Sequence, residues 1–212
     1  MSRESKILIG VLVLVVGSLI GVFALANGGS SSNSGPTPSG SKTVTRPSSH
    51  KEGSGEIQMV EFGDYQCPAC GAAFPNVQQL LKDYGSHISF YFRNFPLTQI
   101  HPNAMVGAEA AALQNKFWQM HDLLYQKQSE WSELGDPSSK LDDYASQLGL
   151  DISKFDSDRQ SAAVKQTVQQ DMADGNALGI NATPTLYVNG TQVQGGYDYN
   201  TLKTAIDAAL KK

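Results

Sequence analysis

Apolar positions along the chain fall into three regimes. From Ile7 to Ala26 (ILIGVLVLVVGSLIGVFALA) no residue carries a charge, and the stretch has the length needed to cross a bilayer as a helix. From Asn27 to Gly55 apolar residues nearly vanish and Gly, Ser, Thr and Pro dominate, a composition that cannot bury a core and predicts a flexible tether. Beyond Glu56, strand and helix patterns alternate. Ile57 to Tyr65 (IQMVEFGDY) is β-branched and aromatic and predicts a buried strand ending at the turn-like Gly63-Asp64. Pro68 suits a first helical position, and Phe74, Val77, Leu81 and Tyr84 recur at helical spacing, with Pro75 expected to kink the helix. His87 to Phe95 predicts a second strand, and residues 101–178 read as helical throughout. Thr185–Val188 and Val193 flank Asn189-Gly190, a hairpin signal, and Tyr199–Leu210 closes the chain as a helix. A helical crossover between two strands followed by a hairpin implies a mixed sheet.

These regimes define the expected organisation: a cytoplasmic terminus at 1–6, a transmembrane signal-anchor at 7–26, a linker at 27–55 and one folded domain at 56–212. Arg3 and Lys6 precede the apolar stretch and no basic residue follows until Lys42, so the positive-inside rule places the domain outside the cytoplasm. Ala24-Leu25-Ala26 also fits a signal-peptidase pattern, so cleavage after Ala26 is the competing reading; either way the domain is exported. The linker, with a random-coil reach on the order of 30 Å, is assigned no structure, and His50 within it is expected to be solvated.

Net charge is -4 and the folded part holds no Lys/Arg run, which excludes an electrostatic footprint for nucleic acid. A domain of about 155 residues buries enough surface to stand without covalent staples. The chain has two cysteines, Cys67 and Cys70, two residues apart. A bridge closing so small a loop constrains the unfolded chain little, so its value is chemical. A zinc site needs about four ligands, and these two thiols with four scattered histidines do not supply one. No cofactor beyond the Cys67–Cys70 pair is expected.

The attacking species in disulfide exchange is the thiolate. A cysteine at a helix N-terminus, facing free N–H groups and the positive end of the helix dipole, has its anion favoured. The strand, turn and Pro68 place Cys67 at or next to that position and Cys70 one turn further in, where it can attack a mixed disulfide formed at Cys67. Asp64 reads as a turn former ahead of the helix. Trp118 and His121 lie in an amphipathic pattern with Leu124 and Tyr125, and read as core or as a hydrogen-bonded surface histidine rather than as chemistry.

Three segments resemble the DsbA-like branch of the thioredoxin superfamily: Val60 to Cys70 (VEFGDYQCPAC), Phe117 to Asp122 (FWQMHD) and Gly179 to Gly190 (GINATPTLYVNG). The resemblance spans most of residues 56–212. It implies a thioredoxin-like α/β fold, a mixed central sheet flanked by helices, with an inserted helical subdomain at about 101–178. It also implies that Pro184 is cis beside the cysteine pair, with the Thr183 backbone free to pair with an extended substrate. Glu61 then corresponds to the family's buried acid, relaying protons to or from Cys70; the residues alone equally allow a strand-end carboxylate in water. The implied activity is an extracytoplasmic thiol-disulfide oxidoreductase. Its leading form is an oxidase handing the Cys67–Cys70 disulfide to exported reduced proteins and restored by a membrane redox partner. A reductase or isomerase of the same fold, or a tethered peptide-binding module with an inert disulfide, are the alternatives.

Overall fold

The computed structural model describes residues 44–97 and 102–211. The expected transmembrane segment, residues 7–26, lies outside them, and among the described residues no helix is long and apolar enough to cross a membrane. The strands are β1 (His50–Glu52), β2 (Ile57–Gly63), β3 (Ile88–Asn94), β4 (Thr185–Val188) and β5 (Thr191–Gln192). Helix α1 (Pro68–Tyr84) joins β2 to β3, and α8 (Tyr199–Leu210) closes the chain. Between β3 and β4 lie α2 (Pro102–Ala112), α3 (Phe117–Gln126), α4 (Gln128–Trp131), α5 (Ser138–Gln147), α6 (Ile152–Gln160) and α7 (Ala162–Leu178).

The sheet order is β1-β3-β2-β4-β5. Strands β2 and β3 run parallel, and β4 adds to β2 antiparallel, so the sheet is mixed, as the order of elements implied. As the central strand, β2 is covered on both faces, which is why Met59, Val60 and Phe62 are all fully buried and apolar residues face both ways along it. Side chains alternate along it. Ile57 and Met59 meet Val77 and Leu80 of α1 and Leu202 and Ile206 of α8. Val60 and Phe62 face Phe95, Ile180 and Tyr187 on the other side. Glu61 shares the face of Ile57 and Met59, beneath α1. The turn between β4 and β5 has Asn189 at φ 44° and Gly190 at φ 77°, the left-handed pair that a two-residue hairpin demands. Pro75 lies within α1 without ending it.

The expected tether ends earlier than its composition implied. Residues 50–52 form β1, pairing antiparallel with the outer edge of β3, and His50 is not solvated. Its ring stacks on Phe117 with centroids 3.5 Å apart, and its Nε2 lies 2.9 Å from Glu109 Oε2. The reason is a polar network that no local pattern reveals. Arg93, fully buried on β3, donates to Asp171 Oδ1 and Asp174 Oδ2 of α7, each at 2.6 Å, and to the Val44 carbonyl at 2.9 Å. Arg46 also pairs with Asp174. Asn94 donates through Nδ2 to Glu109 Oε1 at 2.7 Å and through its backbone N–H to Asp171 Oδ2 at 2.9 Å. The segment ahead of β1, the sheet and the helical insertion are thereby joined through paired charges, since unpaired ones would be costly to bury.

Replacing Arg93 by Ala strands two carboxylates around an emptied site. Breaking a buried pair from one side costs about 3–5 kcal/mol, so urea unfolding of Arg93→Ala should show a loss of that order. A loss under about 1 kcal/mol would show that solvent reaches the network and that it contributes little.

Candidate active site

The segment from β2 to α1 is built by one carboxylate. Asp64, fully buried, accepts the Gln66 N–H at Oδ1 (2.9 Å) and the Leu97 N–H at Oδ2 (3.0 Å), while its carbonyl accepts the Cys67 N–H at 3.0 Å. It forms the turn, as expected from sequence, and it also ties that turn to the chain leaving β3. Cys67 then occupies the N-cap of α1 with φ -73° and ψ 120°, and Pro68 begins the helix. The Cys67 side chain makes no capping hydrogen bond of ordinary geometry, but the Ala69 and Cys70 N–H groups at the helix start lie close enough to its sulfur to favour the anion. Cys67 keeps 9% of its surface exposed; Cys70, one turn on, keeps none.

The two thiols, both free, therefore differ sharply. Cys67 is pulled down to about 5: the Cys70 S–H donates to it, and the Thr183 hydroxyl and the backbone N–H groups of Cys70 and Ala69 help, together outweighing burial. Cys70 is driven strongly upward by burial, by its hydrogen bond to Cys67 and by the charge of Glu61. The Asp64 N–H donates to Cys70 Sγ at 3.5 Å and acts the other way, without offsetting these causes.

The Thr183–Pro184 peptide is cis. It brings the Thr183 carbonyl to 3.4 Å from Cys67 Sγ, which donates to it as a thiol. The Thr183 hydroxyl is buried without a well-aligned hydrogen-bond partner, yet it lies near enough to both sulfurs to favour their charged forms. Glu61 is 3% exposed, which decides between the two readings of this residue in favour of burial. Burial first, and the Cys67 charge second, push its carboxyl up to about 8. The geometry thus brings together all five residues singled out in the sequence: Cys67, Cys70, Thr183, Pro184 and Glu61.

Among the neighbours, Trp118 and His121 pack as structural residues, as read from the sequence, while Gln128 was not legible there. His121 is buried rather than at the surface, its Nδ1 3.1 Å from the Tyr65 hydroxyl, and burial lowers it to about 3, so it is neutral. Trp118 is half-buried, packs against the core, and donates its indole N–H to the Lys51 carbonyl at 3.2 Å. Gln128 reaches the backbone on both sides of Gln66. Among the described residues no group of three or more His, Cys, Asp or Glu side chains is placed to hold a metal ion.

Glu61 carries a consequence for stability. Its folded value lies above the ordinary 4.5, so its contribution is fully present below 4.5 and is lost as pH rises through about 8. In the reduced chain, Glu61→Gln should therefore gain stability relative to the natural chain progressively between about pH 4.5 and 8, and no further above that. Urea unfolding across this range is the check; a difference independent of pH would mean that the carboxylate is solvated.

A family model described as thioredoxin matches residues 54–208. Among curated relatives, the Na(+)/H(+) antiporter NhaA 1 of Mycolicibacterium vanbaalenii is 38% identical over 162 residues, which are 73% of this chain and 25% of that protein. A protein of the same name from Salinispora arenicola is 38% identical over 160 residues, 73% of this chain and 23% of its own length. The chain spans about a quarter of the length of these relatives. Among solved structures, a thioredoxin-like oxidoreductase from Silicibacter pomeroyi is 28% identical with a TM-score of 0.68, covering 81% of this chain and 97% of that one. Oxidised BdbD from Bacillus subtilis is 27% identical with a TM-score of 0.67, covering 76% and 92%. The thiol-disulfide exchange protein alpha-DsbA2 from Wolbachia pipientis, 21% identical with a TM-score of 0.68 over 78% and 89%, shares the fold.

Proposed function

Because the chain belongs to the thioredoxin family and is a DsbA-like protein thiol-disulfide oxidoreductase, we propose that it works as an oxidase, donating its Cys67–Cys70 disulfide to reduced proteins. The observation that carries this reading is the acidity of Cys67. At pH 7 a thiol titrating near 5 gains about two tenfold steps of ionisation over one titrating near 9. Each step is worth about 30 mV in a two-electron couple, so the reduced pair is favoured by about 60 mV. A pair stabilised when reduced is a pair that readily gives its disulfide away.

A substrate thiolate attacks Cys67 Sγ, the sulfur with exposed surface; the Cys67–Cys70 bond breaks and Cys70 leaves with the electron pair. Cys70 cannot persist as an anion where it is buried, so it takes a proton. Glu61, titrating near 8, holds one at neutral pH and lies on the sheet face beneath α1 to supply it. A second substrate thiolate then attacks the substrate's own sulfur in the mixed disulfide. Cys67 departs as the stabilised thiolate, and two electrons have passed from two substrate thiols to the cysteine pair. Thr183, beside the cis Pro184, presents backbone groups next to Cys67 for an extended substrate segment.

The compartment follows from residues 7–26, which we read as a signal-anchor: the amino terminus lies in the cytoplasm and the domain in a bacterial periplasm or at the cell surface, where disulfides persist. Exported reduced proteins are then the substrates, and a membrane redox partner accepts the electrons and restores the disulfide.

Equilibration of the purified chain with glutathione tests the direction. The expected potential lies on the oxidising side of about -200 mV, towards the strong oxidants of the superfamily; a more reducing value would make the chain a reductase. Cys70→Ser should retain attack by Cys67 on a disulfide-containing substrate, displacing one substrate sulfur as a thiolate, but should accumulate the mixed disulfide, visible as a covalent adduct.

A further inference from the structure

Gln128 opens the four-residue helix α4 in the insertion, some sixty positions from the cysteines in sequence. Its Nε2 donates to the Tyr65 carbonyl at 2.7 Å and to the Cys67 carbonyl at 2.9 Å. One amide therefore holds the peptide groups on both sides of the Gln66-Cys67 pair. The Cys67 carbonyl also accepts the Gly71 N–H at 3.1 Å, the bond that starts α1. Gln66 answers in the opposite direction, donating through Nε2 to the Ser132 carbonyl at 2.9 Å just beyond α4. Two glutamines thus clasp the redox loop to the insertion with three hydrogen bonds.

Both partners are held in place. Trp131, fully buried, fixes α4 by donating its indole N–H to the Leu124 carbonyl at 2.9 Å. On the other side, a Cβ at Gly71 would come within 2.3 Å of Gln128 Oε1 and 2.9 Å of its Cδ. Glycine there is a matter of space: the Gln128 side chain fills the volume that any larger residue on the first turn of α1 would need. Glycine inside a helix is unfavourable relative to alanine, and this contact explains its presence.

We propose that Gln128 is a positioning residue for disulfide exchange, holding the Cys67 backbone so that the N–H groups of the first turn of α1 stay aimed at its sulfur, and making the helical insertion part of the exchange machinery. Without it, the Tyr65 carbonyl loses the one donor it has among the described residues, and the Cys67 carbonyl keeps, among them, the helical N–H. The loop can then turn its carbonyl dipoles towards the sulfur and away from the orientation that favours the anion. The backbone N–H groups concerned, those of Ala69 and Cys70, are among the groups that make Cys67 acidic. This inference rests on Cys67 being the exchanging sulfur, and the test separates the two.

The test is the rate of alkylation of Cys67 by iodoacetamide against pH, with the urea unfolding midpoint recorded on the same full-length proteins. Gln128→Met keeps the volume and removes the donor. It should lower the alkylation rate at pH 5 about two- to fivefold, the equivalent of roughly one hydrogen bond on a thiol that is half ionised there. Gly71→Ala, which expels the side chain from the other side, should move the profile the same way. In a Gln128→Ala background there is room for the new methyl, so Gly71→Ala should change the profile no further and should raise the urea midpoint instead of lowering it. If unfolding midpoints fall while the alkylation profile of Gln128→Met superimposes on that of the natural chain, the residue is structural only and the inference is wrong. Equal effects of Gly71→Ala in both backgrounds overturn it as well. If the natural chain itself alkylates like an ordinary thiol, it is the exchange reading of Cys67 that fails.

Discussion

The interaction on which the rest depends is between the Cys67 sulfur and the uncapped first turn of α1. A helix start leaves N–H groups without partners, and a Ser, Asp or Asn at the N-cap would accept from them through oxygen. Here a cysteine occupies the cap instead. The unsatisfied donors, the Cys70 thiol and the Thr183 hydroxyl together make the anion of Cys67 favourable despite burial. Everything that shapes the loop serves this placement: the buried Asp64 that forms the turn, Pro68 that starts the helix, the cis peptide that brings Thr183 alongside, and the Gln128 amide.

The same charge sets its surroundings. Stabilising Cys67 as an anion raises the proton affinity of Cys70 and of Glu61 beneath it, so the three groups form one linked system. Burial does most of this, and burial comes from the central strand. Glu61 occupies a position on β2 whose neighbours Met59 and Phe62 are fully enclosed. A carboxyl in that setting costs stability at neutral pH and supplies a proton near the exchanging sulfurs. A functional group is expected to violate the local rule that strands of this kind are apolar throughout.

Much of this was legible in the residues because the informative contacts are local. The strand-turn-Pro68 order puts Cys67 at a helix start within a dozen positions, and Asn189-Gly190 specifies its hairpin without help from elsewhere. What was not legible depends on distant partners. Residues 44–52 have no apolar pattern; they are ordered by backbone pairing to β3 and by Arg46 and His50 meeting Asp174 and Glu109 across 128 and 59 positions. Periodicity put His121 on an amphipathic helix but did not tell core from surface, because its partner is the Tyr65 hydroxyl. Gln128 reads as an ordinary polar helix residue. A trace of it was present in Gly71, a glycine inside a helix, which signals a close approach but does not say by what.

The central claim is that folding holds Cys67 as an anion and that this drives the disulfide outward, and it is tested most directly by unfolding the oxidised and reduced chains side by side from about pH 5 to 9. Because the folded value of Cys67 lies below its unfolded value, the stability it adds to the reduced form is fully present above about 9 and is lost as pH falls through about 5. The reduced chain should therefore become steadily more stable relative to the oxidised chain as pH rises across that window. A difference that stays flat with pH would contradict the account.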